Sequence, residues 1–183
     1  MSATSQFHFT PVDFASPDDG EVFLQLNRAY FQWMDQEFRK VVGLPLSSVV
    51  GMELEDYVQL TFRRVQELMP EKAWLFFLRA PSGAVAAMGG LRTLADGAAE
   101  IVRIYTRPEF RGQGLGGRMV DHLVSHAGRT GHAVVRLDTG IFMRSAQRIY
   151  AAAGFEMRPP YEGAEPPPVL QPYWLYMERP VET

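Results

Sequence analysis

The sequence predicts one α/β domain over residues 1–183, and three observations carry that expectation. Two early stretches place apolar residues at helical intervals. A middle stretch shortens to strand-like runs divided by turn residues. From residue 99 a strand, a glycine-rich loop and a helix follow in order. In the first stretch Val22, Phe23, Leu26, Tyr30, Phe31 and Met34 recur every three or four positions, and Gly43 and Pro45 end the run. Residues 53–69 repeat the pattern with Leu54, Tyr57, Val58, Thr61, Phe62, Val65 and Leu68, and Pro70 stops it. A short strand is expected over 7–12. Residues 73–80 and 84–90 flank Pro81-Ser82-Gly83 and read as an antiparallel hairpin.

Asp96-Gly97 marks the next turn, and residues 99–106 read as a central strand. The helix expected over 114–127 would bury Leu115, Met119, Val120, Leu123 and Val124, with Gly128 and Gly131 breaking it. Residues 133–138 form the next strand, 143–153 a short helix closed by Gly154, and 173–178 a last strand after the proline-rich loop 159–172.

Composition narrows the chemistry. The net charge of -3 supplies no bulk field for nucleic acid or anionic lipid, so neither is expected as a partner. No apolar run approaches the length of a membrane span, and the N-terminus lacks the pattern of a secretory signal, so a cytoplasmic protein is expected. Cysteine is absent, which excludes disulfides, thiolate nucleophiles and cysteine-held zinc. His122 and His126 lie one helical turn apart, but no third ligand is evident. They read as polar residues of an outer helix face, and no metal site is expected.

The sharpest feature is the run Arg103 to Arg118, RIYTRPEFRGQGLGGR. Gly112, Gly114, Gly116 and Gly117 let the backbone turn tightly and point N–H groups into one concavity. The helix that follows adds unpaired N–H groups and partial positive charge, and Arg111 and Arg118 add full charges. Such a site suits phosphate or pyrophosphate. A triphosphate loop would need lysine followed by serine or threonine, where this chain has Arg118-Met119. The glycine spacing also departs from that of a dinucleotide fold. A ligand-free turn stays open as the alternative.

Here the chain resembles the GCN5-related N-acetyltransferase (GNAT) superfamily. Arg111, Gly114 and Gly116 match its pyrophosphate-loop signature. Ala146, Tyr150, Gly154 and Phe155 keep the spacing of a second signature, with Met143 where the family often has asparagine. The resemblance implies a mixed, mostly antiparallel sheet flanked by helices and splayed to admit acyl-CoA. Residues 73–178 would form the cofactor-binding core, and residues 1–70 a variable, substrate-facing part. It implies acetyl-CoA as acyl donor and an N-acetyltransferase acting on a small-molecule or peptide amine. A non-catalytic acyl-CoA-binding domain on the same fold is the alternative, and homodimers are common in the family.

The resemblance also assigns residues. The backbone of Ile104, Tyr105 and Thr106 would pair with the pantetheine arm. Arg111, Gly112, Gln113, Gly114, Leu115, Gly116, Gly117 and Arg118 would hold the pyrophosphate, with Met143 on the pantetheine wall. Tyr150 would protonate the departing thiolate, although its ring could simply pack on Phe155. Glu100 would take the amine proton directly or through water, with an ordinary strand-end surface charge as the alternative. Tyr30 and Trp33 of the first helix and Tyr161 of the proline-rich loop are candidate walls of the acceptor pocket.

Overall fold

A computed structural model describes residues 7–69 and 71–181. Pro70, the expected helix stop, and the ends of the expected 1–183 span lie outside the described residues. The elements run β1 (His8–Pro11), α1 (Pro17–Val42), α2 (Leu46–Val50), α3 (Leu54–Leu68), β2 (Ala73–Arg79), β3 (Val85–Thr93) and β4 (Ala99–Thr106). Then follow α4 (Leu115–Arg129), β5 (Val134–Gly140), α5 (Arg144–Ala152), β6 (Glu156–Arg158) and β7 (Trp174–Pro180). The strands form one seven-stranded sheet in the order β1-β2-β3-β4-β5-β7-β6. All neighbours are antiparallel except β4 and β5. No helix among the described residues is long and apolar enough to cross a membrane.

Alternation along the strands gives the sheet two different faces. Phe76, Leu78, Leu91, Ile101, Leu137 and Met177 form one core with Leu115, Met119 and Leu123 of α4. Leu75 and Phe77 point the other way and pack with Phe23 and Leu26 of α1 and Val65 of α3. The second face also carries a row of alternating charge. Arg92, Glu100, Arg136 and Glu178 are register neighbours on β3, β4, β5 and β7. Arg92 pairs with Glu100, and Arg136 pairs with Glu178 at 2.7 Å. Part of the loop 159–172 lies over this row. Tyr161 sits under the guanidinium groups of Arg136 and Arg158, at 5.3 and 5.0 Å from its ring centre.

Three details depart from the sequence expectation. Gly128 does not break α4, which continues to Arg129. A Cβ there would stand 3.0 Å from Val181 Cγ1, so the missing side chain serves a close contact with the end of the chain. The helix instead ends at Thr130, whose hydroxyl donates to the carbonyl of His126 at 2.9 Å. His122 and His126 are half-buried rather than freely solvated. The ring of His122 stacks on Phe9 at 3.9 Å, both histidines meet Phe76 edge-on, and each has a buried Nε2 without a partner among the described residues. An apolar sheet face beneath α4 draws in side chains that helical spacing alone places outside. Part of the proline-rich loop, Pro168–Tyr173, forms a 3₁₀ turn.

The β3–β4 pairing carries a bulge. Met88 faces Tyr105 and Gly90 faces Val102, so one residue of β3 spans two of β4. Gly89 and Gly90 make room for it. A Cβ on Gly89 would lie 2.7 Å from Met119 Cγ, and one on Gly90 would lie 2.4 Å from Leu75 Cδ2 and 2.9 Å from the Trp74 carbonyl oxygen. Gly90→Ala is therefore expected to lower stability by about 1–3 kcal/mol through overpacking. Chemical denaturation checks this, and an unchanged midpoint would show that Leu75 can move aside freely.

Candidate active site

Strands β4 and β5 pair in parallel only at Ala99–Val135, Glu100–Arg136 and Ile101–Leu137. Beyond Ile101 they diverge, and the bulge in β4 falls at this point. Arg103 has φ of 60°, the one non-glycine residue with positive φ among the described residues. Such backbone costs about 1–2 kcal/mol for a residue with a Cβ.

A cleft of about 640 Å³ opens along the far half of β4. Ile104, Tyr105 and Thr106 line one side, and Met143, Arg144, Ser145, Ala146 and Ile149 line the other. At its end stand Arg111, Gly112, Gly114, Leu115 and Gly116, where α4 begins. Gly112 and Gly114 have φ of 79° and 72°, the left-handed region that glycine enters without cost. The first N–H groups of α4 have no intrahelical acceptor, so the cleft ends in a concentration of partial positive charge. Arg111 bends back over it. Its Nε donates to the Thr106 carbonyl at 3.2 Å, and its guanidinium lies about 6 Å from the rings of Trp33 and Tyr105.

Most of the residues expected at the cofactor meet in this cleft, but Gln113, Gly117 and Arg118 do not line it. Each helical residue turns by about 100°, so positions just past Gly116 rotate off the cleft side. Arg118 reaches back instead to the residue before the first strand, donating to the Phe7 carbonyl at 3.0 Å. On the opposite wall the sequence reading singles out Met143 and Ala146 but not their neighbours Arg144, Ser145 and Ile149, because spacing alone does not say which sides of α5 face the cleft. Arg144 is exposed at the start of α5 and adds a cation to the cleft.

In the fork itself lies a smaller cavity of about 60 Å³. Tyr30, Trp33, Arg103, Asp138, Tyr150 and Glu165 are among its lining residues. Tyr30 and Trp33, the candidate walls of an acceptor pocket, border this cavity. Tyr150 is 7% exposed and packs edge-on with Phe155, so its ring fills the core while its side chain borders the cavity. Burial, then the charge of Asp138, pushes its phenol above the ordinary range, so it stays protonated at neutral pH.

Glu100 and Tyr161 are placed differently from expectation. Glu100 is fully buried rather than at a surface strand end, and it is not among the residues bordering the fork cavity. One carboxylate oxygen accepts from the Tyr161 hydroxyl at 2.7 Å, and the other pairs with Arg92. Tyr161 accordingly fastens the proline-rich loop to the sheet instead of walling the pocket. The alternation of β4 explains this: Glu100 shares its face with the charged row, one bulge before the fork. On the sheet it is Asp138, two residues beyond Arg136 on β5, that borders the cavity, with Glu165 of the proline-rich loop as the other carboxylate there. Its carboxyl is held well above the usual carboxylate range, first by burial, then by the charges of Glu100 and Glu165, with Arg92 and Arg103 opposing.

Residues 27–155 match the family model for the Acetyltransferase (GNAT) family. The chain is 27% identical over 107 residues to the IAA acetyltransferase of Azospirillum brasilense, covering 58% of this chain and 67% of that protein. It is 35% identical over 65 residues to an uncharacterized N-acetyltransferase of Schizosaccharomyces pombe, a stretch covering 36% of this chain and 40% of that one. Among solved structures, the PaiA N-acetyltransferase of Thermoplasma acidophilum in complex with coenzyme A superposes with a TM-score of 0.68 at 14% identity, over 96% of this chain and 99% of that one. At that identity the likeness is one of fold. The chain belongs to the GNAT acetyltransferase family, a family of acyl-CoA-dependent N-acyltransferases that use acetyl-CoA.

The cleft geometry fits a pyrophosphate at the start of α4 and an extended arm running toward the fork. A Cβ on Gly116 would already stand 3.0 Å from Ile149 Cδ1 across the cleft. Gly116→Val is expected to weaken CoA binding by about tenfold or more, equivalent to about 1.4 kcal/mol, with little change in folding. Calorimetric titration reads this directly, and unchanged affinity would put the phosphates elsewhere.

Proposed function

We propose that the protein acetylates an amine by direct attack on acetyl-CoA within the β4–β5 fork. The observation that carries this is the junction of two spaces at one point. The cleft that ends at α4 meets, along Ile104 and Met143, the cavity that holds Asp138 and Tyr150. The donor's phosphates would lie at the start of α4, against Gly112, Gly114, Leu115, Gly116, Arg111 and Arg144. Its arm would follow Ile104, Tyr105 and Thr106 past Met143, bringing the thioester to the fork.

Asp138 takes the amine proton. A raised carboxyl pKa brings the base closer to the pKa of the group it must deprotonate, which favours proton transfer near neutral pH. Glu100 is the weaker choice because both of its oxygens are engaged by Arg92 and Tyr161. The amine nitrogen then bonds to the carbonyl carbon as the carbon–sulfur bond breaks. The sulfur keeps the electron pair and receives the Tyr150 proton. The raised phenol gives up this proton only against the charge developing on sulfur, and the proton taken up by Asp138 then restores the phenol. No covalent acyl-enzyme is needed, and the chain has no cysteine to form a thioester.

Thiol release from acetyl-CoA across an amine panel tests the activity; release no faster than hydrolysis with every amine would contradict it. Asp138→Asn is expected to lower kcat/KM by about 10²–10⁴-fold. In the wild type, activity should rise with pH through the Asp138 ionisation, because the carboxylate form is the base. That limb should lie above the ordinary carboxylate range, as the direction of the shift requires. It should vanish in Asp138→Asn. Glu100→Gln should keep the limb while losing about 1–3 kcal/mol of stability, since it weakens a buried charged hydrogen bond. The opposite pattern would return the base to Glu100. Tyr150→Phe should slow single-turnover transfer by about 10²–10⁴-fold with CoA affinity unchanged, and a rate within about threefold of wild type would remove the phenol from the proton-donor role.

A further inference from the structure

The fork cavity has a neighbour. A second cavity of about 170 Å³ lies between the sheet and α3, and Tyr57, Thr61, Arg64, Arg92 and Ala164 help to line it. Val102, Arg103 and Glu165 border both cavities. The partition between the two spaces is therefore an ion pair, Arg103 with Glu165, contributed by the bulge of β4 and the proline-rich loop.

The two partners are held very differently. Arg103 is 3% exposed in its side chain, its backbone is fixed at positive φ, and its guanidinium lies 5.0 Å above the ring of Phe31. Its Nε is buried with no hydrogen-bond partner among the described residues, so the guanidinium retains an unused donor. A buried guanidinium with a free donor is suited to a planar oxyanion. Glu165 is 27% exposed and sits on a loop whose other anchors, Tyr161 on Glu100 and the Gly163 carbonyl on Arg92, do not depend on it. It can leave Arg103 without releasing the loop. The larger cavity is lined by three arginines, Arg64, Arg92 and Arg103, and by one carboxylate, Glu165. With Glu165 turned out, cationic groups dominate that side. Asp138 remains on the other side, beside Tyr150.

We propose that the acceptor is an amine that carries a carboxylate, and that this carboxylate displaces Glu165 from Arg103 so that the two cavities become one acceptor site. The amine then lies in the fork toward Asp138 and Tyr150, and the rest of the acceptor extends along Arg103 toward Arg92 and Tyr57. Glu165 acts as an internal stand-in that neutralises Arg103 when no acceptor is bound. Arg103 is a specificity-determining residue, and its strained backbone fixes the distance between the acceptor's two charged ends. This inference rests on the acetyl-transfer reading above.

The test compares matched amines at saturating acetyl-CoA: amino acids, their carboxamides and their decarboxylated amines, with thiol release as the readout. The wild type should favour the carboxylate form by about 10- to 100-fold in kcat/KM, the range for a hydrogen bond to a charged group. Arg103→Asn should raise KM for the carboxylate form and abolish the preference, leaving kcat less affected. Asparagine enters the left-handed region more readily than most residues, so this variant keeps the bulge. Glu165→Gln should move the other way, lowering KM for the carboxylate form several-fold, because a neutral stand-in competes less well; this surface-loop change keeps the proposal testable even if Arg103→Asn folds poorly. Equal or better use of the decarboxylated amines by the wild type would overturn the proposal while leaving the transferase reading intact. A raised KM for the carboxylate form in Glu165→Gln would also overturn it. Failure of every amine to release thiol would overturn both.

Discussion

Parallel strands β4 and β5 share a register over three residue pairs and then separate. The site depends on that separation. A parallel pair that stayed zipped would fill the fork with its own main chain and leave no opening beside Ile104. Separation exposes backbone N–H and C=O groups that the sheet would otherwise satisfy, and unpaired buried groups of this kind are costly. The fork is thus a strip of main chain that lacks a partner strand, and an extended ligand arm with amide groups is the natural complement. The same divergence sets Asp138 on β5 across from the far half of β4, which is how a carboxylate comes to border the cavity from one strand and a bulged arginine from the other.

The bulge works with the divergence. Met88 and Gly90 of β3 hold β4 on one side, and the extra β4 residue between their partners Tyr105 and Val102 bends β4 away from β5. Left-handed backbone at Arg103 is the local cost, and the neighbours that offset it are Glu165 in charge and Phe31 in ring contact. The row Arg92, Glu100, Arg136 and Glu178 links the strands across the unsplit end of the sheet. Tyr161 links that row to the proline-rich loop, so one hydroxyl on Glu100 helps determine where Glu165 stands. The carboxylate of Glu100 at the closed end and that of Asp138 at the open end lie on the same sheet face, yet the first is tied to Arg92 and Tyr161 and the second borders the cavity.

Much of this was legible in the sequence. β4 spans the expected 99–106, and α4, α5 and the β2–β3 hairpin follow from periodicity and turn residues. The glycine loop and the second signature led to the cleft, and Tyr30, Trp33 and Tyr150 do border the fork. What the sequence did not reveal were relationships across elements. Glu100 and Asp138 are both acidic residues on neighbouring strands, and only the register and the position of the bulge distinguish the enclosed one from the one at the cavity. Arg103 gives no local warning of positive φ, because nothing in an IVRIYT strand predicts a bulge. The partial positive charge of α4 is readable, but the rotation that turns Arg118 toward Phe7 depends on where β1 packs. His122 and His126 likewise look solvated until Phe9 and Phe76 are placed beneath them.

The central claim is that the transfer takes place inside the β4–β5 fork. A crystal structure of the protein with a non-hydrolysable acetyl-CoA analogue tests it most directly. The pantetheine arm is expected to run between the two strands, with hydrogen bonds to the main chain of Ile104 to Thr106 and the thioester position beside Tyr150. An arm lying along another surface, with the fork closed or filled by side chains, would contradict it.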